Sequence, residues 1–453
     1  MPVIDGDELL SDLNRVDELS PPRYALILAV CAVTRTQLAM DNTKQGSGER
    51  PGAEVPPEPR LTGGLLLSLA EASLRQFNLL DDTGLDAIVA SYLVGTCYGN
   101  MNNIRHASFY LDQSISLAHS LNMTRESGYH GLSDSECEKR RRLFWLLFVT
   151  ERTFALQHRR PVMLRNSITK PKILDSEYPV IMNDFVNHIR LFESLPPSLY
   201  EWEEPDSKNH QRDDLELLHT ISGKLCAIQA DQSVIESQKF DTLVTQQWLR
   251  ISMWRLALGK QPSPAHKSGR LLPPSLPMDA GKIIIPALNS VGSRSKDCHG
   301  IAMEQKLFDV GVSLTDSALM PSWSSSSLEL GPRDLLFAVV EALSTARGCQ
   351  SYLLTTLLKY SEHLLAFADP AAHIDLRVDL PRRADDPHRA QVSAIEDTSS
   401  STQDEESVNP QIWFAEDELS LLDLSTPGPS SLHWEDVDVF GEQVDPDMGA
   451  LLP

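Results

Sequence analysis

The sequence predicts an all-α fold, with a multi-helix body over residues 1–368 followed by a disordered acidic C-terminal tail over 369–453. Two observations carry this. Apolar residues recur at three- and four-residue intervals along the body, and no alternating strand pattern of useful length interrupts them. Charge is also segregated: the formal net charge is −23, and after Arg389 no lysine or arginine follows while 15 acidic residues do. Hydrophobic residues make up 41% of the 453, enough for a large core in the body. The tail is acidic and rich in Ser, Pro and Thr, and it lacks the apolar surface that would repay ordering.

Each element has a local reason. Pro21-Pro22 opens a buried helix over Arg23–Met40, which the polar stretch near 41–60 ends as a loop. Helices follow over Leu65–Leu79, Leu85 to about Asn100, and Ile104–Leu121. Turn formers such as Asp81-Asp82-Thr83-Gly84 separate them, and short connections make them antiparallel neighbours. The strongest signal is Ser133–Arg160. Ser133 and Glu136 have the spacing of a capping box, Leu143 to Val149 is apolar on every side, and Pro161 disfavours helix at the residue before it. This predicts a central core helix. Two mixed helices come next, Asp213–Gln229 and Asp241–Leu258, the latter carrying Trp248 and Trp254. The Pro/Gly/Ser-rich stretch near 259–295 reads as a long loop, and helices over Ala302–Ser317 and Arg333–Phe367 complete the body.

Composition and spacing exclude several function classes. The pI near 4.9 argues against a nucleic-acid or anionic-membrane surface spread over the whole chain. No apolar run reaches the roughly 18 residues of a membrane helix, and the acidic N-terminus lacks the features of a secretory signal. Cys31, Cys97, Cys137, Cys226, Cys298 and Cys349 are 40 to 89 residues apart, which predicts buried, reduced thiols in an intracellular protein. A binuclear zinc cluster needs six thiolates in two C-x2-C-x6-C halves, and no two cysteines here are close enough. His106, His119, His130 and His158 show no metal-ligand spacing and read as surface or capping residues. There is no phosphate-binding glycine loop, nucleophile elbow or zinc-protease helix, so no enzyme class has a motif to rest on.

The segment Glu138-Lys139-Arg140-Arg141-Arg142-Leu143-Phe144-Trp145-Leu146-Leu147-Phe148-Val149-Thr150-Glu151-Arg152, continued by Leu156-Gln157-His158-Arg159-Arg160-Pro161, resembles the signature helix of the fungal-specific transcription factor domain. That domain is the middle homology region of zinc-cluster regulators. Ala107 to Glu126 is similar to the helix and turn preceding that signature, although Asn122 stands where a glycine is commoner. Tyr178-Pro179 and Trp248-Leu249 match more weakly, and the resemblance spans roughly 1–367. Met1-Pro2-Val3-Ile4-Asp5 is similar to a stretch lying inside the regulatory domain of relatives, so the family's zinc module is expected to lie outside this sequence. The resemblance implies a nuclear regulator of transcription, an activator of a metabolic pathway or a biosynthetic gene cluster. An alternative is a regulator without its own DNA-binding module that acts through, or antagonises, a partner. No cofactor is expected in this chain, with zinc bound only if an N-terminal cluster exists, and promoter DNA is reached only through that module or a partner. A homo- or heterodimer is compatible with the resemblance.

Two surface features remain. Lys139-Arg140-Arg141-Arg142 with Arg159-Arg160 could contact phosphate or serve nuclear import. The favoured reading is a solvated helix start whose unfavourable placement against the helix dipole calls for nearby carboxylates. In the tail, Trp413, Phe414, Leu419, Leu421, Leu422 and Leu424 alternate with carboxylates, as do Trp434, Val437, Val439 and Phe440. This is the composition of an acidic activation domain that forms a short amphipathic helix in a coactivator groove, and a merely solubilising tail would not need two Trp-centred clusters.

Overall fold

The computed structural model describes residues 3–42, 61–79, 84–173, 179–200, 211–228, 235–259, 272–319, 330–348 and 351–365, which all lie within one unit. Among them there is no strand. Asp5 opens α1 (Gly6–Asp12) by accepting hydrogen bonds from the Asp7 and Glu8 amides. Next come α2 (Pro21–Gln37), α3 (Gly63–Leu74), α4 (Leu85–Asn100) and α5 (Ile104–Ser120). These lie where periodicity puts helices, with ends shifted by up to five residues.

The predicted central helix is α6 (Asp134–His158). The Ser133 hydroxyl accepts the Glu136 amide as the capping box requires, while the Glu136 carboxylate takes Arg140 Nε at 2.8 Å. Leu143, Phe144, Trp145 and Leu147 are fully buried, and left-handed Arg159 (φ 48°) ends the helix ahead of Pro161. Helix α7 (Pro179–Glu193) has no counterpart among the predicted elements, while α8 (Gln211–Ala227) and α9 (Glu236–Gly259) match theirs.

Two predicted elements are corrected. The supposed loop near 259–295 contains α10 (Leu276–Ser290) and α11 (Ser293–Asp297). Its prolines are misleading: Pro277 occupies the first turn, where a missing N–H costs nothing, and Pro286, inside the helix, is tolerated while Met278, Ile284, Ile285 and Leu288 form a buried face. After α12 (Ile301–Ala318), the single helix predicted over 333–367 is broken into α13 (Pro332–Thr345), α14 (Leu353–Tyr360) and α15 (Glu362–Leu365). The break falls at Arg347, held at φ 43°. The thiols also depart from expectation: of the five described cysteines Cys97 is buried, Cys137 half-buried, and Cys31, Cys226 and Cys298 exposed.

Helix α2 packs on α3 and α4, α4 on α5, and α6 on α5 and α7. Helix α9 meets α7, α8, α10 and α12, and α12 meets α13 and α14. One continuous apolar core runs from Ala25 in α2 to Leu357 in α14. Phe144, Trp145, Phe148, Trp248 and Trp254 all belong to it, as packing alone predicts.

Candidate functional site

The signature residues do three separate jobs around α6. At its start the basic run meets carboxylates: Lys139 lies 3.7 Å from Glu8, and Arg141 3.0 Å from Glu126 and 3.9 Å from Glu138. Arg141 also stacks on Tyr129 at 4.4 Å, and half-buried Arg142 completes the run. Negative partners thus offset three of the four cations placed against the helix dipole, Lys139, Arg140 and Arg141. In the middle, Leu143, Phe144 and Trp145 pack inward, and the Trp145 indole N–H donates to the Thr169 carbonyl at 3.0 Å.

At the end, buried Glu151 and Arg152 hold the chain that follows. Glu151 accepts the amides of Met163 (2.5 Å) and Leu164 (3.0 Å), and Arg152 Nη2 donates to the Leu164 carbonyl at 3.0 Å. The Arg152 guanidinium lies 3.4 Å from the centre of the Phe148 ring. Burial raises the Glu151 pKa despite those two amides, and burial lowers that of Arg152. Arg160, nearer solvent, bonds Asp112 at 2.6 Å and the Ser108 hydroxyl, and Pro161 is exposed. Glu151 and Arg152 thus clamp Met163 and Leu164 against α6, while Arg160 ties the start of that segment to α5.

The turn before α6 depends on backbone geometry. Asn122 takes the glycine-favouring conformation, φ 54°, after α5. Any Cβ on Gly128 would fall inside the van der Waals shell of the Asn122 carbonyl.

Two clusters fall outside the signature. The first is a charge group among α7, α9 and α12, in which Lys306 is buried and Asp241, His188 and His299 are half-buried. Lys306 Nζ bonds Asp241 at 2.9 Å and the Thr245 hydroxyl at 2.5 Å, while His299 and His188 lie 3.7 and 4.0 Å from the Asp241 carboxylate. Burial opposes ionisation of Asp241, but Lys306, His299 and His188 together pull its pKa well below the usual carboxylate range. Burial drives His188 down to about 4 and raises Asp184, a bond acceptor for Thr242 at 2.8 Å, to about 7. Lys306 follows Met303 and precedes Leu307 and Val310 on the buried face of α12, a charge out of pattern that could have been read in the sequence.

The second is an open cleft of about 370 Å³ formed by α3, α4 and α5. Glu71 lines it from α3 and Arg75 from the cap that follows, Tyr98 from α4, and Arg105, His106, Phe109 and Tyr110 from α5. The Tyr98 and Tyr110 hydroxyls both donate to Glu71 Oε1, at 2.8 and 2.7 Å. Burial and the Glu71 carboxylate push the Tyr98 hydroxyl up to about 12 and raise Tyr110. Gly95 lets α4 and α5 approach closely, since a Cβ there would meet the Tyr110 side chain at 3.1 Å. No motif joins residues so far apart, and only the tertiary packing reveals this site.

Among the described residues, no group of three or more His, Cys, Asp or Glu is placed to hold a metal ion, and no helix is long and apolar enough to cross a membrane. His106, His119 and His130 are exposed, whereas His158 is half-buried, with burial lowering its pKa to about 4. The tail clusters, from Trp413 to Leu424 and from Trp434 to Phe440, lie outside the described residues.

Residues 9–249, from α1 into α9, match the fungal specific transcription factor domain. The chain is similar to the probable sucrose utilization protein SUC1 of Candida albicans, 22% identical over 51% of this chain and 46% of that one. It is also similar to two Saccharomyces cerevisiae proteins. The maltose fermentation regulatory protein MAL13 is 23% identical over 57% of this chain and 54% of its own length, and the respiratory transcription factor ZNF1 is 22% identical over 57% and 53%. The chain thus spans about half the length of these relatives. No solved structure matches it. With its signature helix as the buried centre of an all-α body and the family match covering more than half of its length, the chain belongs to the fungal specific transcription factor domain family.

Proposed function

We propose that the chain is the regulatory and activating part of a nuclear transcription regulator, an activator of a metabolic pathway or biosynthetic gene cluster. The family match over residues 9–249 carries this reading, and relatives named for sugar utilization and respiration support it. The helical body receives a signal. The tail recruits coactivators through the Trp413 and Trp434 clusters, and promoter DNA is reached through a zinc module outside this sequence or through a partner chain.

A reporter assay tests it. Fused to a heterologous DNA-binding domain, the full chain should activate transcription, and the same fusion ending at Ala368 should lose most of that activity. Activation that survives the deletion would remove the tail from the mechanism.

A second reading is favoured by the cysteine spacing, which offers no close thiol pair. Here the chain acts only through a partner or antagonises its full-length relatives. Specific promoter binding by the purified chain alone, measured across salt concentrations, would eliminate it.

A further inference from the structure

The α3–α4–α5 cleft has a donor and acceptor pattern that specifies a ligand. Because both tyrosine O–H groups are committed to Glu71 Oε1, the oxygens of Tyr98, Tyr110 and Glu71 offer only lone pairs to an incoming molecule. Arg75 and Arg105 offer only N–H donors. Phe109, 60% exposed, adds an apolar ring to the lining. The volume, about 370 Å³, falls within the roughly 300–1,000 Å³ of small-molecule sites.

A hydroxyl both donates and accepts, so one row of hydroxyls satisfies both sets of groups at once. A pyranose also has a flat C–H face to lay on the Phe109 ring. An anion would meet the Glu71 carboxylate and a simple cation the two arginines, so neither suits the whole lining. We propose that this cleft binds an uncharged saccharide as the effector of the body. The proposal rests on the reading of the body as the receiver of a metabolic signal.

Calorimetric titration of the full chain with glucose, maltose and sucrose, and with leucine as a zwitterionic comparison, tests it. At least one saccharide should saturate one site per chain. Phe109→Ala and Arg105→Ala, both at exposed positions, should each weaken binding at least tenfold while leaving the thermal melt unchanged. Leu319→Ala, exposed and outside the lining, should bind as the native chain does. Failure of every saccharide to saturate, saccharide binding indifferent to both cleft variants, or leucine binding lost in those variants would each overturn the assignment. A chain that drives the reporter but binds no saccharide refutes the ligand alone. A chain that binds saccharide in this cleft but never activates a reporter refutes the transcriptional reading instead.

Discussion

Arg152 and Arg160 are eight residues apart in the signature segment, and their sequence context does not distinguish them. The structure separates them by solvent. Arg152 is 1% exposed and touches Phe148 and the Leu164 carbonyl, whereas the side chains of Arg160 and its partner Asp112 are each 36% exposed. Removing one member of a buried charged pair leaves the other without compensation, so Arg152→Ala should cost about 3–5 kcal/mol. Arg160→Ala, losing a partly exposed ion pair, should cost about 1 kcal/mol or less. Urea denaturation of both variants measures the difference, and equal losses would contradict the clamp described for Glu151 and Arg152. Backbone geometry gives a second residue-level test. Gly128→Ala must push against the Asn122 carbonyl, which is backbone and cannot rotate away, so destabilisation should reach the upper end of the roughly 1–3 kcal/mol typical of overpacking. Asn122→Gly should be neutral or mildly stabilising, because φ 54° suits glycine better.

Between elements, the charge group joining α7, α9 and α12 makes stability depend on pH. Asp184 titrates near 7 in the folded chain, far above an ordinary aspartate. Between about pH 4 and 7 the folded state therefore holds a proton that the unfolded state has released, and stability falls as pH rises through that window. His188, lowered to about 4, acts in the opposite sense. From about pH 4 to 6.5 the unfolded state binds the extra proton, so stability rises with pH. The His188 slope partly offsets that of Asp184, while His299, whose pKa Asp241 raises against its burial, adds to the fall as pH rises. In Asp184→Asn one slope is gone, so the variant should gain stability relative to native as pH goes from 5 to 8. Denaturant midpoints at those two pH values decide it, and a gap independent of pH would show that Asp184 does not titrate there. Helices α2 to α6, α8, α9 and α12 were legible because each carries a long apolar face with recognisable ends. Helices α7 and α10 were hidden by composition: α7 places Asp184 and Asn187 on its buried side, and α10 carries prolines that read as punctuation. The signature residues were legible because they are contiguous, whereas Glu71, Tyr98 and Tyr110 converge only when three helices pack.

Over the whole body, the first helices and the last are locked together. Asn100 at the end of α4 accepts the Ile301 amide at 3.1 Å, and Gln37 in α2 donates to the Cys298 carbonyl. Arg347 closes the set: its amide donates to Asp297 at 3.0 Å, its guanidinium binds buried Glu304, and Nη1 reaches the Asn100 carbonyl at 3.5 Å. Arg347→Ala would strand Glu304 in the core at a cost of about 3–5 kcal/mol. The loss should appear in both ends of the body at once, as one cooperative shift in hydrogen exchange of α4 and α13; a change confined to α13 would show that the two ends are not coupled. None of this was legible in the sequence, because no local pattern announces a partner 247 residues away. That separation also sets a clock during synthesis. At roughly 5–20 residues per second, a ribosome needs roughly 12–50 s after finishing α4 to deliver Arg347. Through that interval the nascent amino-terminal helices lack their closing partner.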